Sequence, residues 1–270
     1  MKKIIVLLIF FTLSFNHILP DGNIALCQTT YTPKSLTDGG TIGGKVVLKG
    51  TIPEFVNMIV SQDNKVCGKS KRSPRLVIGA DRGVANAVIY LEGLTSGKPF
   101  PGSGMYLLDQ RNCEYSPHIS IIPNGQKLTI VNSDVILHNV HSYETDGDRR
   151  TIFNIAQPIK GVKSMTKPLT KSGILLATCD AGHPWMSAYV VVASNPYYAI
   201  TDTSGRYRLE NIPPGNYTLH MWHEGVAITK KEMERANVKR YEFEEPYEDK
   251  QPVSVPPKST VMADFSLTLR

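Results

Sequence analysis

Several kinds of sequence feature are scarce in this chain of 270 residues. It has no Lys/Arg tract with interleaved aromatic residues, which argues against nucleic acid as a ligand. No nucleophile–base–acid set, phosphate-binding glycine loop or pair of catalytic carboxylates stands out, and no helical pattern follows the glycines at 43–44 or 102–104. Helical periodicity is nearly missing throughout. These absences disfavour nucleic-acid-binding proteins and nucleotide-dependent enzymes.

One apolar run lies at the N-terminus. Two lysines precede residues 4–15, and a run of this length suits a signal-peptide core but is short for a membrane span. The sequence ALC before Gln28 favours cleavage there, so residues 1–27 are predicted to be a signal peptide. Acylation of Cys27 and an uncleaved anchor are the alternatives, and the bulky Leu26 argues against acylation. We expect a periplasmic or otherwise exported protein with no stable membrane span after the leader is removed.

The chain is basic. Lys and Arg outnumber Asp and Glu by 30 to 24, a formal net charge of +6 at pH 7. Because the positive charge is not concentrated in one tract, it fits an acidic partner or an anionic surface better than nucleic acid. It is equally consistent with charge that only keeps the protein soluble.

Short apolar segments separated by Gly, Pro, Asn and Asp predict an all-β fold. Residues 28–42, rich in Thr, Ser, Gly and Pro, indicate an extended lead-in. The predicted strands that follow it are 43–50, 75–78, 87–91, 105–108, 119–122 and 127–131.

Cysteine is rare, with four residues in the chain, and one of them belongs to a cluster of possible metal ligands. Cys179, His183 and Met186 lie close together between two apolar runs, 174–177 and 188–193, which is the layout of a loop between two strands. Soft sulfur donors with imidazole suit copper. A blue-copper site, with one Cys, two His and a weak axial Met, needs one more histidine.

His138 is the candidate for the missing imidazole. Strand-like alternation in residues 128–140 breaks at 132–134 and resumes at this histidine. One strand would then hold the first ligand and the loop the other three. His141 is three residues farther, so on a regular strand it faces the other way. The competing interpretation is that Cys179, His183 and Met186 are unrelated core residues.

These segments resemble the cupredoxins, the small blue copper proteins that include plastocyanin. The resemblance rests on VNSD (131–134), HNV (138–140) and the later Cys-x3-His-x2-Met. It implies a cupredoxin-like Greek-key β-sandwich over residues 43–194. It also implies one type 1-like copper ion, with ligands that match His138, Cys179, His183 and Met186. Asn139 matches the residue that joins the two ligand segments by hydrogen bonds.

The loop spacing departs from the plastocyanin pattern, Cys-x2-His-x4-Met. It equals the second half of the binuclear copper-A motif of cytochrome oxidase, which has a further Cys four residues earlier. That position is Leu175 here, so we expect one copper ion and not two.

If Cys179 binds the metal, Cys67 and Cys113 are the cysteines that remain after the leader. We predict that they form a disulfide, in keeping with an oxidising compartment. Two free buried thiols are the alternative.

Residues 197–224 resemble the carboxypeptidase-regulatory-like, or transthyretin-like, β-sandwich. The resemblance rests on TDTSGRY (201–207) and PPGNY (213–217), and it implies no peptidase activity. A smaller C-terminal β-sandwich is therefore predicted over 195–270, in which the charged residues 229–250 form a solvated insertion or a long hairpin.

The sequence thus favours an exported mononuclear copper protein that carries single electrons between redox partners, such as an acidic cytochrome. Four protein ligands leave no open metal position, so we do not expect an enzyme. By resemblance the electron would leave through His183, with Pro184 and Trp185 as an apolar docking patch. The alternatives are a copper-delivery protein with an exposed loop and possible use of His141, or an envelope module that binds through its C-terminal sandwich.

Overall fold

A computed structural model describes residues 31–102, 104–145, 147–235 and 237–270. The predicted signal peptide, 1–27, and the start of the lead-in lie outside these residues. Within them, no helix has the length and apolar character needed to cross a membrane. The α-helix described, α1 (Asn64–Cys67), is a single turn, and a 3₁₀ turn covers Ala80–Arg82.

The rest of the regular structure is β-strand, as the all-β prediction required. In chain order the strands are β1 Thr32–Pro33, β2 Gly40–Lys49, β3 Asn57–Ile59, β4 Ser70–Arg72, β5 Val88–Leu91, β6 Ser96–Gly97, β7 Tyr106–Arg111, β8 Glu114–Ser116, β9 Ile119–Pro123, β10 Leu128–Asn132, β11 His138–Glu144, β12 Thr151–Gln157, β13 Lys163–Met165, β14 Gly173–Thr178, β15 Ser187–Ala193, β16 Tyr198–Ile200, β17 Arg206–Ile212, β18 Gly215–His223, β19 Ile228–Glu234, β20 Asn237–Phe243, β21 Tyr247–Val255, β22 Thr260–Met262 and β23 Phe265–Thr268.

One pair of sheets contains the predicted metal ligands. Its sheets have the strand orders β13-β10-β7-β8 and β12-β11-β14-β15-β9. The buried side chains between these two sheets form one cluster that includes Leu108, Ile130 and Val190. Cys179 and Met186 belong to this cluster. We call this part the site sandwich.

A second pair of sheets has the orders β16-β5-β18-β21 and β17-β2-β22, with β23 also paired to β2. Its buried cluster includes Ile42, Leu48, Ile89, Leu219 and Leu267. We call this part the second sandwich.

Strand β15 is buried on both faces. Ala188, Val190 and Val192 point into the site sandwich, whereas Tyr189 and Val191 belong to another cluster. That cluster also contains Val88 of β5 and Trp222 of β18, which are strands of the second sandwich. A sheet covered on both faces produces the continuous apolar run of residues 188–193 instead of an alternating one.

The strands do not pair within the two predicted domains, 43–194 and 195–270. Strands β2 and β5, which the sequence placed within 43–194, pair with β17, β18 and β22, which belong to 195–270. The predicted strand at 75–78 is not one, because Ile78 makes only an isolated bridge with Val84. The long hairpin predicted within 229–250 is present as β19–β20. Tyr241 of this hairpin is only 9% exposed and packs on the site sandwich, so the hairpin is not a purely solvated insertion.

Candidate metal centre

The four predicted ligands lie at one end of three neighbouring strands. His138 begins β11, Cys179 follows the end of β14, and Met186 immediately precedes β15. Strands β11, β14 and β15 are adjacent and antiparallel. The start of β11, the end of β14 and the start of β15 therefore lie at the same end of the sheet. His183 is in the loop between β14 and β15.

Three donor atoms converge at this end of the sheet. Nδ1 of His138 lies 3.0 Å from Nδ1 of His183, and Sγ of Cys179 lies 3.5 Å from the latter nitrogen. The three donors all lie within 4.8 Å of one another. Both imidazoles are fully buried and the cysteine is 5% exposed. Nitrogen and sulfur ligands about 2.0 to 2.3 Å from a shared ion are separated by roughly 3 to 4 Å, so this set can surround one metal ion.

Each imidazole is held by a carboxylate on its far side. Nε2 of His138 is 2.9 Å from Oδ2 of Asp134, and Nε2 of His183 is 3.0 Å from Oδ2 of Asp63. A carboxylate accepts hydrogen bonds, so each Nε2 carries the proton and donates it, which leaves each Nδ1 with a lone pair. Two nitrogen lone pairs and a sulfur then face one point. A bound cation would stabilise that arrangement, and carboxylate–histidine pairs of this kind orient ligands in metal sites.

Asp134 is itself fixed by backbone donors. Its carboxylate accepts hydrogen bonds from the amides of Asn112 and Cys113, at 2.9 and 2.8 Å. Burial alone would raise the pKa of Asp134, but the hydrogen bonds from Cys113, His138 and Asn112 outweigh it and the pKa is lowered. The carboxylate is therefore ionised at neutral pH.

The predicted disulfide between Cys67 and Cys113 is present. It joins α1 to the segment whose backbone amides bind the carboxylate of Asp134. Asp63 is the N-terminal cap residue of α1. Both carboxylates that orient the imidazoles are thus attached to the same crosslink. A second set of donors, from Cys113, Asp134 and His138, includes a sulfur used in this crosslink and offers no free thiolate.

The ionisation of the donors suits metal binding. Burial lowers the pKa of His183, despite the raising effect of Asp63, so this imidazole is neutral at neutral pH. Burial raises the pKa of the Cys179 thiol against the hydrogen bonds from the backbone of Asn139 and Ala181. A bound metal ion supplies the positive charge that favours the thiolate.

Asn139 joins the two ligand segments, as the resemblance implied. Its Oδ1 accepts hydrogen bonds from the amides of Asp180 and Ala181, at 2.6 and 3.2 Å. Gly182 then turns the loop with a φ of +85°. This left-handed conformation favours glycine, and a Cβ here would also displace the end of the Gln62 side chain, 2.2 Å away.

Met186 is 1% exposed, and its amide donates to the carbonyl of His183 at 3.0 Å. It shares the buried cluster with Cys179 and Tyr115. The hydroxyl of Tyr115 donates to the carbonyl of Asn139 at 2.5 Å. Burial and the neighbouring Cys179 both raise the pKa of Tyr115, so its phenol remains protonated.

The structure corrects the expectation for Trp185 and agrees with the one for His141. Trp185 forms no surface patch, because it is 2% exposed and its indole donates to the carbonyl of Cys113 at 3.0 Å. His141 lies outside the donor set; its ring nitrogens contact Asp180 and Thr151, the latter at 2.9 Å.

The donor chemistry fits copper. A buried set of one cysteine sulfur, two imidazoles and a nearby thioether is the combination that copper electron-transfer sites use. The sequence identified the four candidate ligands but gave no role to Asp63 or Asp134. Asp134 belongs to the VNSD segment, whereas Asp63 is 120 residues from His183 and carries no local signal.

No family model and no curated protein matches this chain. Similar solved structures include a mutant of amicyanin in its reduced Cu(I) form, with 20% identity and a TM-score of 0.29 over 34% of this chain and 86% of that one. A purple cupredoxin from Nitrosopumilus maritimus has 26% identity and a TM-score of 0.26 over 35% of this chain and 88% of that one.

A copper-containing nitrite reductase from Thermus scotoductus SA-01 is similar over 34% of this chain, with 18% identity and a TM-score of 0.28. The match spans only 23% of that enzyme. These likenesses concern about a third of the chain, and their TM-scores are too low to add to the case for the metal. That case comes from the donor atoms of His138, Cys179 and His183.

Proposed function

We propose that this protein is an exported, mononuclear copper protein that carries single electrons between redox partners and is not an enzyme. The observation that supports this most directly is the convergence of Cys179 Sγ with the Nδ1 atoms of His138 and His183, each imidazole backed by a carboxylate. Bound copper would supply a one-electron couple. Met186 would supply the thioether as a fourth, weaker ligand.

The chain's own residues suit this role in three ways. His138, on a strand, and His183, in a loop tied down by Asn139, are held in fixed positions. Burial keeps water away from the donors. Four protein donors leave no position for a substrate. A rigid, dry centre changes little between two charge states, which is what rapid electron transfer needs.

Copper delivery without electron transfer is the main alternative. A delivery site needs ligands that a partner can reach, and this one has two fully buried imidazoles. The resemblance of the C-terminal part to an envelope binding module leaves the metal donors unexplained. The proposal also includes three expectations that come from the sequence. They are that the protein is exported, that its partner is an acidic protein such as a cytochrome, and that it does not bind nucleic acid.

The test is the visible spectrum and metal content of the mature protein reconstituted with copper(II). We expect one copper per chain and an intense thiolate-to-copper band that disappears on reduction. Cys179→Ser should abolish the band and His138→Gln should weaken binding. The matched control is His141→Gln, on the same strand but outside the donor set, which should keep one copper. A colourless protein without stoichiometric copper would overturn the proposal.

A further inference from the structure

The imidazole of His183 is closed off from solvent. Its outer nitrogen contacts Asp63 at 3.0 Å and Gln62 at 3.4 Å, and Gln62 also donates to the carbonyl of Ala181 at 2.6 Å. The ring is fully buried, and the neighbouring Trp185 is buried as well. An electron leaving by this histidine would have to cross the segment that carries Asp63.

A cleft lies beside the two sulfur-containing candidate ligands instead. This cleft has a volume of about 310 Å³, and both Cys179 and Met186 line it, whereas neither His138 nor His183 does. One wall comes from β20 through Tyr241. The other walls come from β11, β14 and the turn that follows β11. The thiolate is the ligand most strongly coupled to copper in such sites, so the cleft offers a short route to it.

The rim of the cleft carries exposed positive charge. Arg149, Lys239 and Arg240 line it and are all exposed. Arg149 comes from the turn after β11 and the other two come from β20, so the positive charges stand on both sides of the opening. Arg75, deeper in the cleft, is balanced by Glu224, 2.9 Å away.

The acidic residues of the cleft are mostly engaged. Asp180 pairs with His141. Glu244 accepts hydrogen bonds from the amides of Val226 and Ala227, both at 2.9 Å. Glu245 is the remaining acidic side chain that lines it. Lys239 is itself paired with Glu232, 3.7 Å away. The exposed charged side chains that line the cleft are three cations, Arg149, Lys239 and Arg240, and two anions, Asp180 and Glu245, so the lining carries a small excess of exposed positive charge.

We infer that this cleft is the docking surface for an acidic redox partner, so that the electron passes on the Cys179 side of the centre and not through His183. The inference rests on the proposed function. In the transfer the reduced centre gives up one electron and the partner takes up that electron, with no bond formed or broken. Charge complementarity selects an acidic protein as the occupant and steers its approach.

The first test uses hexacyanoferrate(III), a small anionic oxidant, with the reduced copper protein at low ionic strength. The combined change Arg149→Glu and Arg240→Glu should lower the second-order rate constant roughly tenfold and reduce its dependence on salt. The matched control is the combined change Lys65→Glu and Lys69→Glu, which reverses two exposed charges on and just after α1, close to Asp63 in the chain. It should change the rate little, and all three proteins should keep the same visible band. An effect of the control as large as that of the change at Arg149 and Arg240 would overturn the inference.

A second test needs no copper. Hexacyanochromate(III) is a redox-inert, paramagnetic trianion that broadens NMR signals where it binds. In the metal-free protein we expect broadening of the amides of Thr145 and Lys239 at the cleft and none at Gln62 or Lys65. Broadening at the latter pair alone would overturn the inference. If the wild-type protein binds no redox-active copper, the proposed function fails, while this map still shows whether the cleft recognises anions.

Discussion

At the scale of single residues, Asp134 determines how the centre is built. It accepts hydrogen bonds from two backbone amides and from Nε2 of His138. The amides fix the carboxylate, the carboxylate fixes the imidazole tautomer, and the tautomer presents the Nδ1 lone pair to the other donors. The order of these contacts explains why a residue that binds no metal influences the binding of one.

Replacing Asp134 with asparagine should therefore weaken copper binding. The amide has no negative charge and can turn its NH₂ group toward His138, so the preferred tautomer is no longer imposed. We expect the affinity to fall roughly 10- to 100-fold in a competition titration with a copper chelator. Asp38→Asn, at an exposed position, is the control. Equal affinities for the two variants would contradict this role of Asp134.

The sequence predicted the donors more completely than the residues that orient them. A thiol, an imidazole and a thioether within one loop form a local pattern, and His138 lies beside a break in strand alternation that can be read directly. Asp63 reaches His183 only because the Cys67–Cys113 crosslink and α1 bring it there. Such a contact depends on tertiary folding, so no spacing in the sequence indicates it.

Glu224 provides a test of pH dependence away from the metal. It is 1% exposed, contacts His118, and forms an ion pair with Arg75 at 2.9 Å. Burial alone would raise its pKa, but the charges of His118 and Arg75 outweigh burial and lower it below the usual 4.5. Its stabilising effect is therefore complete above pH 4.5 and is lost as the pH falls through the pKa of the folded state.

We expect Glu224→Gln to reduce the free energy of unfolding by about 3 to 5 kcal/mol near pH 7, because Arg75 loses its counter-charge in a buried position. The difference from the wild type should shrink as the pH falls below 4.5, because the carboxyl of the unfolded wild type takes up a proton first. It should be smallest once the folded-state carboxyl is neutral as well. Urea unfolding between pH 3 and 7 measures this. Glu248→Gln, at an exposed position of β21, should show no comparable loss, and a difference that is constant with pH would contradict the ion-pair explanation.

At the scale of elements, the short helix α1 and the disulfide act as one brace for the centre. The crosslink joins residues 46 positions apart and so attaches the Asp63 segment to the segment that fixes Asp134. Removing it by Cys67→Ala with Cys113→Ala should lower the free energy of unfolding by about 4 kcal/mol in the chain-entropy account.

The same double change should also weaken copper binding, because both carboxylates lose their common anchor. Urea unfolding of the metal-free protein and copper titration of the folded protein separate the two effects. An unchanged copper affinity in protein that remains folded would show that the brace stabilises the fold without positioning the ligands.

Strand pairing was harder to predict than strand positions. The alternation of β2 and β5 shows that each is a strand, but it does not show which partner each will take. Strand β2 pairs in parallel with β22 and β23, more than two hundred residues away along the chain. Parallel pairs need long connections, so the partner of β2 has no local turn that would reveal it.

At the scale of the whole molecule, the two sandwiches are interleaved in sequence. Strands β2 and β5 precede the site sandwich in the chain and complete the sheets of the second sandwich. The cluster containing Val88, Tyr189 and Trp222 then joins the two. The predicted limits 43–194 and 195–270 thus separate strands that pair with each other, and this makes the limits testable.

A chain of residues 28–194 should be much less stable than one of residues 28–270. Without the later strands, Ile42, Leu48, Ile89 and their neighbours in β2 and β5 lose the surfaces that bury them. Exposing five such side chains costs on the order of 10 kcal/mol, comparable to the whole stability of a typical domain. We expect the chain of residues 28–194 to unfold in urea with weak cooperativity and to bind a hydrophobic dye.

Adding the separate fragment 195–270 should restore a cooperative transition, since it supplies the missing partner strands. If 28–194 alone unfolded at the same urea concentration as the longer chain, residue 195 would be a true domain boundary and the interleaved pairing would contribute little to stability.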